Sequence, residues 1–514
     1  MIYFKYKNET TAVIEHDDES LRDFDILREH FKTENESIRF VKAYRSFMSP
    51  YKYEITPLGK YNIGLTQEIC EICRKLNIDY KIEEDLVNEV RPSFNFKEIL
   101  SVPNEQYKYR DYQERLIKSL ADNGRGVIIS PTRSGKSLII AGLIHNVFQH
   151  VNDYKIQNVL IVVPNIQLVF QFADDLTEYG LGKYYNIQPF TAKTMSKKNA
   201  KLKIEPLNIY IANTQYLMLH GEELPFTDMV FCDECHQCKK TSEISKILKS
   251  LKIRNKFGCT GTLPSSLIDK WMISGIFGPV VDEVEIKKLQ EQKVLADVKI
   301  YPIKFKHIKH QNFNIPEIDE NGNVEDKFSV AQKASRKEQI FLNTYEESNK
   351  IILNISKKII TEHPDWNVLI LFDYTNQGEQ LFKLLSHDNK HYVDGSIDVK
   401  ERLNIVEQMD ESGGHILIAQ SKTFSTGITI SRLNVIFLLN ADTAATKIIQ
   451  SIGRGLRRQN KNAIIVFDIF HNYKYSEKHY EDRLKLYNTF YNLVLNRDFK
   501  NKEVYLSNDD LIQP

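Results

Sequence analysis

The stretch GVIISPTRSGKSLIIAGLIHNVF, residues 126–148, joins two apolar runs through a short polar turn. The first run, GVIIS, has the length and β-branching of a buried strand. The last, LIIAGLIHNVF, is long enough for a helix. Between them lies SPTRSGKS, Ser130 to Ser137, small residues followed by a lysine and a hydroxyl. A loop of that composition between a strand and a helix can cradle phosphates, because backbone N–H groups and the helix N-terminus face them. Pro131, Thr132, Arg133, Ser134 and Gly135 are the candidate loop contacts. Lys136 would set a point charge on the β/γ-phosphates of ATP, and Ser137 a hydroxyl on Mg2+. The strict pattern opens with glycine five residues before Gly135; here that position is Ser130.

Working outward, strand-like runs alternate with helical ones from about Tyr107 to Tyr301: GVIIS, VLIVVP, IYIAN, MVFCDE and FGCTGT. Strands separated by helices imply a parallel, doubly wound sheet. A second set, NVLILF, KHYVDG, HILIAQ, NVIFLLN and AIIVFDIF, predicts another such lobe over about 335–470. Residues 1–95 mix short strand runs (AVIEH, YKYEITPL, IDYKIEE) with helical ones and read as a small α/β unit. A linker is expected near RPSFNFKEILSVPNEQ, and an insertion or exposed loop at KHIKHQNFNIPEIDENGNVEDKF. The expected organisation is therefore α/β throughout. A small N-terminal domain spans 1–95, two tandem parallel-sheet lobes span 96–300 and 301–470, and a helical C-terminal tail spans 471–514.

Two further strings complete a nucleotide site. DECH, Asp233 to His236, closes the apolar run MVFC, and ligands of open parallel sheets bind at the carboxyl ends of strands. Asp233 can hold Mg2+ through water, Glu234 can orient and deprotonate an attacking water, and His236 can sense the γ-phosphate. QSIGRGLRR, residues 450–458, spaces Gln450, Arg454 and Arg457 onto one helix face. An arginine there would stabilise charge on the transferred phosphoryl group; its plainer reading is a basic surface.

Composition narrows the class. The 514 residues exceed one core, and at roughly 100–200 residues per domain three or four units are expected. Lys+Arg is 69 against Asp+Glu 68, so any surface for nucleic acid must be local. The N-terminus lacks a basic segment followed by a long apolar run, and no uncharged apolar stretch approaches a membrane span, so a cytoplasmic setting is expected. Cys232, Cys235 and Cys238 follow C-x-x-C-x-x-C spacing, open to a zinc or iron–sulfur reading and to one as packed core. Cys70 and Cys73, on TQEICEICRKL, recur at helical spacing and read as core.

Taken together, these strings resemble the superfamily 2 helicases, whose two lobes are RecA-like P-loop NTPase folds. YRDYQERLI is similar to that family's adenine-reading stretch, with Gln113 facing the base. VVPNIQLVFQF and ANTQYL, with Thr214 and Gln215, resemble first-lobe strand-gripping motifs, and GCTGT, with Thr260, Gly261 and Thr262, the motif that couples hydrolysis to lobe movement. HYVDGSIDVKER (Gly395, Arg402) and SKTFSTGITISRLNVIF (Thr426, Gly427) resemble second-lobe motifs. The likeness runs from about Tyr107 to Arg458. Within the superfamily, DECH, GITI, QSIGRGLRR and the N-terminal YKYEITPLGKYNIGLTQEICEICRKL are most like the UvsW-type recombination helicases of T-even-like bacteriophages. Arg133 departs from the small residue usual in the loop, and Thr429 stands where an aspartate is common.

The resemblance implies ATP-dependent unwinding of branched DNA, branch migration and fork regression in the host-cell cytoplasm, with RNA–DNA hybrids as a further substrate. It implies ATP and Mg2+ as cofactors, single-stranded and branched DNA and phage replication or recombination proteins as partners, a monomeric state, and an N-terminal domain that binds DNA. Thr214, Gln215, Thr426 and the backbone near Gly427 are the nucleic-acid candidates. Lys193, Lys197, Lys198, Lys201 and Lys203 read equally as a duplex-touching rim and as a solvated loop. The tail's Lys/Tyr interleaving reads either as a base-stacking surface or as a stripe packed on its lobe. A double-strand translocase without unwinding, an RNA helicase and an ATP-independent annealing protein remain alternatives.

Overall fold

The computed structural model describes residues 1–34, 49–191, 206–220, 226–308, 311–313, 327–425, 430–439, 452–453, 463–491 and 503–506. The chain divides into two compact units, one of Met1–Pro131 and Gly135–Val284, the other of Glu285–Pro514 with Thr132–Ser134.

The first unit opens with strands β1 (Ile2–Asn8), β2 (Thr11–Glu15), β3 (Lys32–Glu34), β4 (Tyr51–Tyr53), β5 (Lys60–Asn62) and β6 (Tyr80–Ile82). Four form a sheet in the order β5-β2-β1-β6, and β3 pairs with β4 alone. The sequence reading passes over β1. Its aromatic residues Tyr3, Phe4 and Tyr6 fall on both faces and blur the alternation that marks a half-buried strand. YKYEITPL, expected as one strand, yields only β4. The chain then turns through Pro57 and Gly59, whose φ of 70° is left-handed. Ile2, Phe4, Phe24, Leu27, Ile69, Cys70 and Cys73 share one buried core, so the cysteine pair on the helix Thr66–Lys75 is packing.

That core also takes in Trp271, from the helix Leu267–Phe277 of the following lobe. Its ring lies 5.2 Å from that of Phe31, and its Nε1 donates to Glu68 Oε1 at 3.0 Å. Gly275 lets the helix approach closely, since a Cβ there would sit 2.8 Å from Asn62 Cβ. Lys240 pairs with Glu54, whose side chain is almost fully buried. The N-terminal domain therefore shares its core with the lobe that follows.

That lobe is a seven-stranded parallel sheet in the order β13-β7-β12-β11-β8-β10-β9. Its strands are β7 (Gly126–Ile129), β8 (Asn158–Val163), β9 (Asn186–Phe190), β10 (Asn208–Asn213), β11 (Met229–Asp233), β12 (Asn255–Thr260) and β13 (Val280–Glu283). The five expected strands are all present. The two additions, β9 and β13, are the sheet's edges, half-exposed and therefore without a continuous apolar run; β9 also carries Pro189. Arg125, just before β7, is buried and donates to Ile276 O at 2.9 Å and Phe277 O at 3.3 Å. A cation at the open carbonyls of a helix C-terminus satisfies them and matches the dipole, so this contact anchors the strand that launches the candidate phosphate loop.

The second unit is also a seven-stranded parallel sheet, ordered β16-β17-β15-β18-β19-β14-β20. Its strands are β14 (Asp297–His307), β15 (Asn367–Phe372), β16 (Lys390–Val393), β17 (Ile416–Gln420), β18 (Leu433–Leu439), β19 (Ala463–His471) and β20 (Glu503–Leu506). The expected lobe boundary at 300/301 lies inside β14, and β20 adds a strand to the tail expected to be helical. The tail helix, Lys474–Phe490, packs on this lobe: Tyr487 and Tyr491 are buried, and Tyr480 stacks on Phe470 with centroids 4.0 Å apart. Those tyrosines are core, which favours the packed reading of the stripe over base stacking.

Paired histidines make this unit acid-sensitive. His391 Nε2 lies 2.9 Å from His415 Nδ1, and the buried His307 Nε2 lies 2.8 Å from His471 Nδ1. Burial, with His415 and His387 nearby, pulls His391 down to about 4; burial also lowers His415 and His471. Their folded-state pKa values lie below the unfolded value near 6.5, so their stabilisation is complete above that pH and is lost as pH falls through 6.5 toward 4. The second unit's melting temperature should be flat above pH 7 and fall from pH 6.5 to pH 4.5; a flat acid limb would contradict this.

Candidate ATP-hydrolysis site

Adjacent parallel strands β7, β12 and β11 end side by side, and the candidate nucleotide residues follow directly from their carboxyl ends. Ser130, after β7, donates its N–H to Thr260 O at 2.8 Å, joining the phosphate loop to the end of β12. The loop then turns through two left-handed residues, Arg133 with φ 73° and Gly135 with φ 82°. Glycine suits that left-handed φ, and a Cβ there would lie 2.4 Å from Gln113 Nε2, so the amide would have to shift. The amide of Gln113, the expected base reader, thus lies against the loop, held from the other side by Arg110 N–H donating to its Oε1 at 2.9 Å. Lys136 begins the helix Lys136–Gln149, whose N-terminus has no side-chain cap. The dipole at a helix N-terminus favours an anion such as phosphate.

Asp233 is the last residue of β11 and is buried, and among the described residues its Oδ1 has no hydrogen-bond partner. Burial pushes this carboxyl above the usual range, with Lys136 pulling against it and Glu234 adding to the rise. An unsatisfied buried carboxylate oxygen is costly, and a divalent cation would relieve it. The residues present therefore fit Mg2+, with Asp233 and Ser137 to hold it.

Glu234 sits at φ 51°, a left-handed conformation uncommon outside glycine. Its Oε1 is 3.5 Å from Lys136 Nζ and its Oε2 is 3.2 Å from His236 Nδ1. His236 Nδ1 is also 3.0 Å from Thr260 Oγ1, which donates to Thr262 O at 2.8 Å and accepts from Thr262 N at 3.3 Å. One polar chain so runs from Lys136 through Glu234 and His236 to Thr260 and Thr262, across Gly261.

The three spaced cysteines belong elsewhere. Cys232, Cys235 and Cys238 sit in the apolar core with Val230, Leu160 and Phe277, and Cys232 Sγ is 3.9 Å from Cys238 Sγ. Burial raises the Cys235 and Cys259 thiols well above their ordinary value, and the contact with Cys238, together with burial, does the same for Cys232. Among the described residues no group of three or more His, Cys, Asp or Glu could hold a metal ion.

Toward the other edge, Thr214 follows β10 and donates its hydroxyl to Pro164 O at 3.2 Å; Gln215 beside it is exposed. Gly395 is exposed, and Arg402 donates to Asp394 O and Gly395 O at 3.1 and 3.2 Å. Thr426, Gly427, Thr429, Gln450, Arg454, Arg457 and the five lysines between 193 and 203 lie outside the described residues. Tyr179, unseen in the sequence reading, touches the loop: its OH is 2.9 Å from Ser137 Oγ. No motif marks it, since it reaches Ser137 from 42 residues away.

A family model for the type III restriction enzyme res subunit matches residues 106–265, and one for the helicase conserved C-terminal domain matches residues 350–459. With this fold and these motifs, the chain belongs to the superfamily 2 helicases, ATP-hydrolysing enzymes. It is 26% identical over 469 residues to the ATP-dependent DNA helicase uvsW of Enterobacteria phage T4, covering 86% of this chain and 85% of that protein. A crystal structure of T4 UvsW covers 98% of this chain and 99% of its own, at 22% identity and TM-score 0.43. The DNA-bound ATP-dependent type ISP restriction-modification enzyme LlaBIII covers 83% of this chain and 33% of its own, at 14% identity and TM-score 0.53, a likeness of fold. No helix among the described residues is long and apolar enough to cross a membrane.

Proposed function

We propose that this helicase acts on branched DNA, unwinding, migrating branches and regressing forks in phage recombination, repair and replication in the host cytoplasm. The observation that carries the reading is the similarity to the phage T4 DNA helicase over 86% of the chain, enough to include more than the motor lobes. In this reading ATP with Mg2+ supplies the phosphoryl group and its charge neutralisation. Lys136 counters the phosphate charge, Glu234 orients and deprotonates water, His236 links that carboxylate to Thr260 and Thr262, and Gln113 reads the base. Thr214, Gln215, Thr426 and Gly427 grip the strand through its backbone, so sequence preference is weak. Residues 1–95 bind DNA, and the lobes spanning 96–300 and 301–470 drive the strand. Arg457, with Gln450 and Arg454, stabilises transferred charge; Arg457→Ala should lower kcat far more than ATP affinity, and an unchanged kcat would return it to a basic surface.

The test is steady-state ATP hydrolysis with no nucleic acid, single-stranded DNA, duplex, forked DNA and RNA at matched salt. Strong stimulation by forked or single-stranded DNA supports the proposal. The match to the restriction-enzyme subunit favours one second reading, a translocase on duplex that leaves strands paired. Triplex displacement without unwinding would select it, and stimulation by RNA alone would move the protein to RNA remodelling.

A further inference from the structure

The helix Ile166–Glu178 touches both the strand-gripping and the nucleotide-binding candidates. At its N-terminus, Asn165 accepts from Leu168 N at 3.0 Å, and the preceding Pro164 O receives the Thr214 hydroxyl at 3.2 Å. Along its length Val169, Phe172 and Leu176 are buried. Tyr179 caps its C-terminus through the bond from its N–H to Asp175 O, and its OH lies 2.9 Å from Ser137 Oγ.

The same end also grips the segment leading to Gln113. Asn104 N donates to Tyr179 O at 3.0 Å and Asn104 Nδ2 to Glu178 O at 2.7 Å. The Tyr107 ring meets Tyr179 edge-on at 4.9 Å, and its hydroxyl bonds Glu178. Thirteen residues at 1.5 Å each make a rod of about 20 Å. A capped, half-buried helix of that length carries displacement from end to end instead of absorbing it.

We propose that this helix is a strut coupling nucleic-acid contact at Pro164 and Thr214 to the nucleotide site, with Tyr179 as the positioning residue that holds the Ser137 hydroxyl. The inference rests on the assignment of those two sites given above. A structural hydroxyl would leave communication between the ligands untouched; a strut makes it depend on one oxygen. Tyr179→Phe removes that oxygen and keeps the ring against Tyr107.

The measurement is a pair of affinities on the full chain. One is for a fluorescent ATP analogue with Mg2+, with and without single-stranded DNA; the other is for that DNA, with and without the nucleotide. Linkage requires the same factor in both directions. We expect Tyr179→Phe to shrink the factor by about fivefold or more, and Thr177→Ala, exposed on the same helix, to leave it alone. Should Tyr179→Phe fail to fold, Thr214→Val, which removes the bond to Pro164 O at the other end of the helix, decides by the same loss of the factor. A wild-type factor in the variants overturns the strut alone. A wild-type protein in which neither ligand affects the other overturns the branched-DNA reading and the strut together.

Discussion

Glu234→Gln is expected to slow ATP turnover by roughly 10²–10⁴-fold, the range for losing a positioned general base, while nucleic-acid binding persists. The amide keeps the shape of the side chain and the left-handed turn at φ 51°. It removes the charge facing Lys136 Nζ at 3.5 Å and His236 Nδ1 at 3.2 Å, and with it the means to take a proton from water. Lys136→Ala should also abolish turnover, but by a different route, because it removes the only side-chain cation of the helix's first turn and weakens nucleotide binding itself. Steady-state hydrolysis beside nucleotide and DNA titrations separates the two. Wild-type turnover in either variant would remove the site assignment.

Arg483→Met should destabilise the second unit by roughly 3–5 kcal/mol, the cost of breaking a buried ion pair from one side. Arg483 and Asp468 have side-chain exposures of 1% and 0%, and their two bonds measure 2.7 and 3.0 Å. Tyr487 OH adds a third at 2.8 Å. The pair fastens the tail helix Lys474–Phe490 to β19, so the loss should appear as earlier unfolding of this unit, read by denaturant melts with domain-resolved hydrogen exchange. Replacing Asp468 as well by an apolar residue should recover much of the loss, since no uncompensated charge then remains. A single-variant loss below about 1 kcal/mol, the range of exposed pairs, would show that water reaches the site.

The legible parts of this protein were those written in contiguous residues. Buried parallel strands such as VLIVV and NVLILF are continuous apolar runs. The edges β9 and β13 were missed because one-sided burial leaves no such run, and β1 because its aromatics occupy both faces. The cysteine spacing was ambiguous as a string, and only the surrounding core distinguishes a ligand set from packing.

Local sequence determined the candidate phosphate loop, since Gly135, Lys136 and Ser137 must be neighbours to sit at one helix N-terminus, and it determined the two-lobe α/β order through the alternation of apolar runs. Tertiary structure decided what stands beside them. It brought Thr260 to Ser130 and His236 across adjacent strands, left Asp233 Oδ1 without a hydrogen-bond donor among the described residues, and brought Trp271 into the N-terminal core. It also set Tyr179 on Ser137. These contacts join residues far apart in the chain, where side-chain periodicity carries no record of the partner; strand order and helix packing alone choose it.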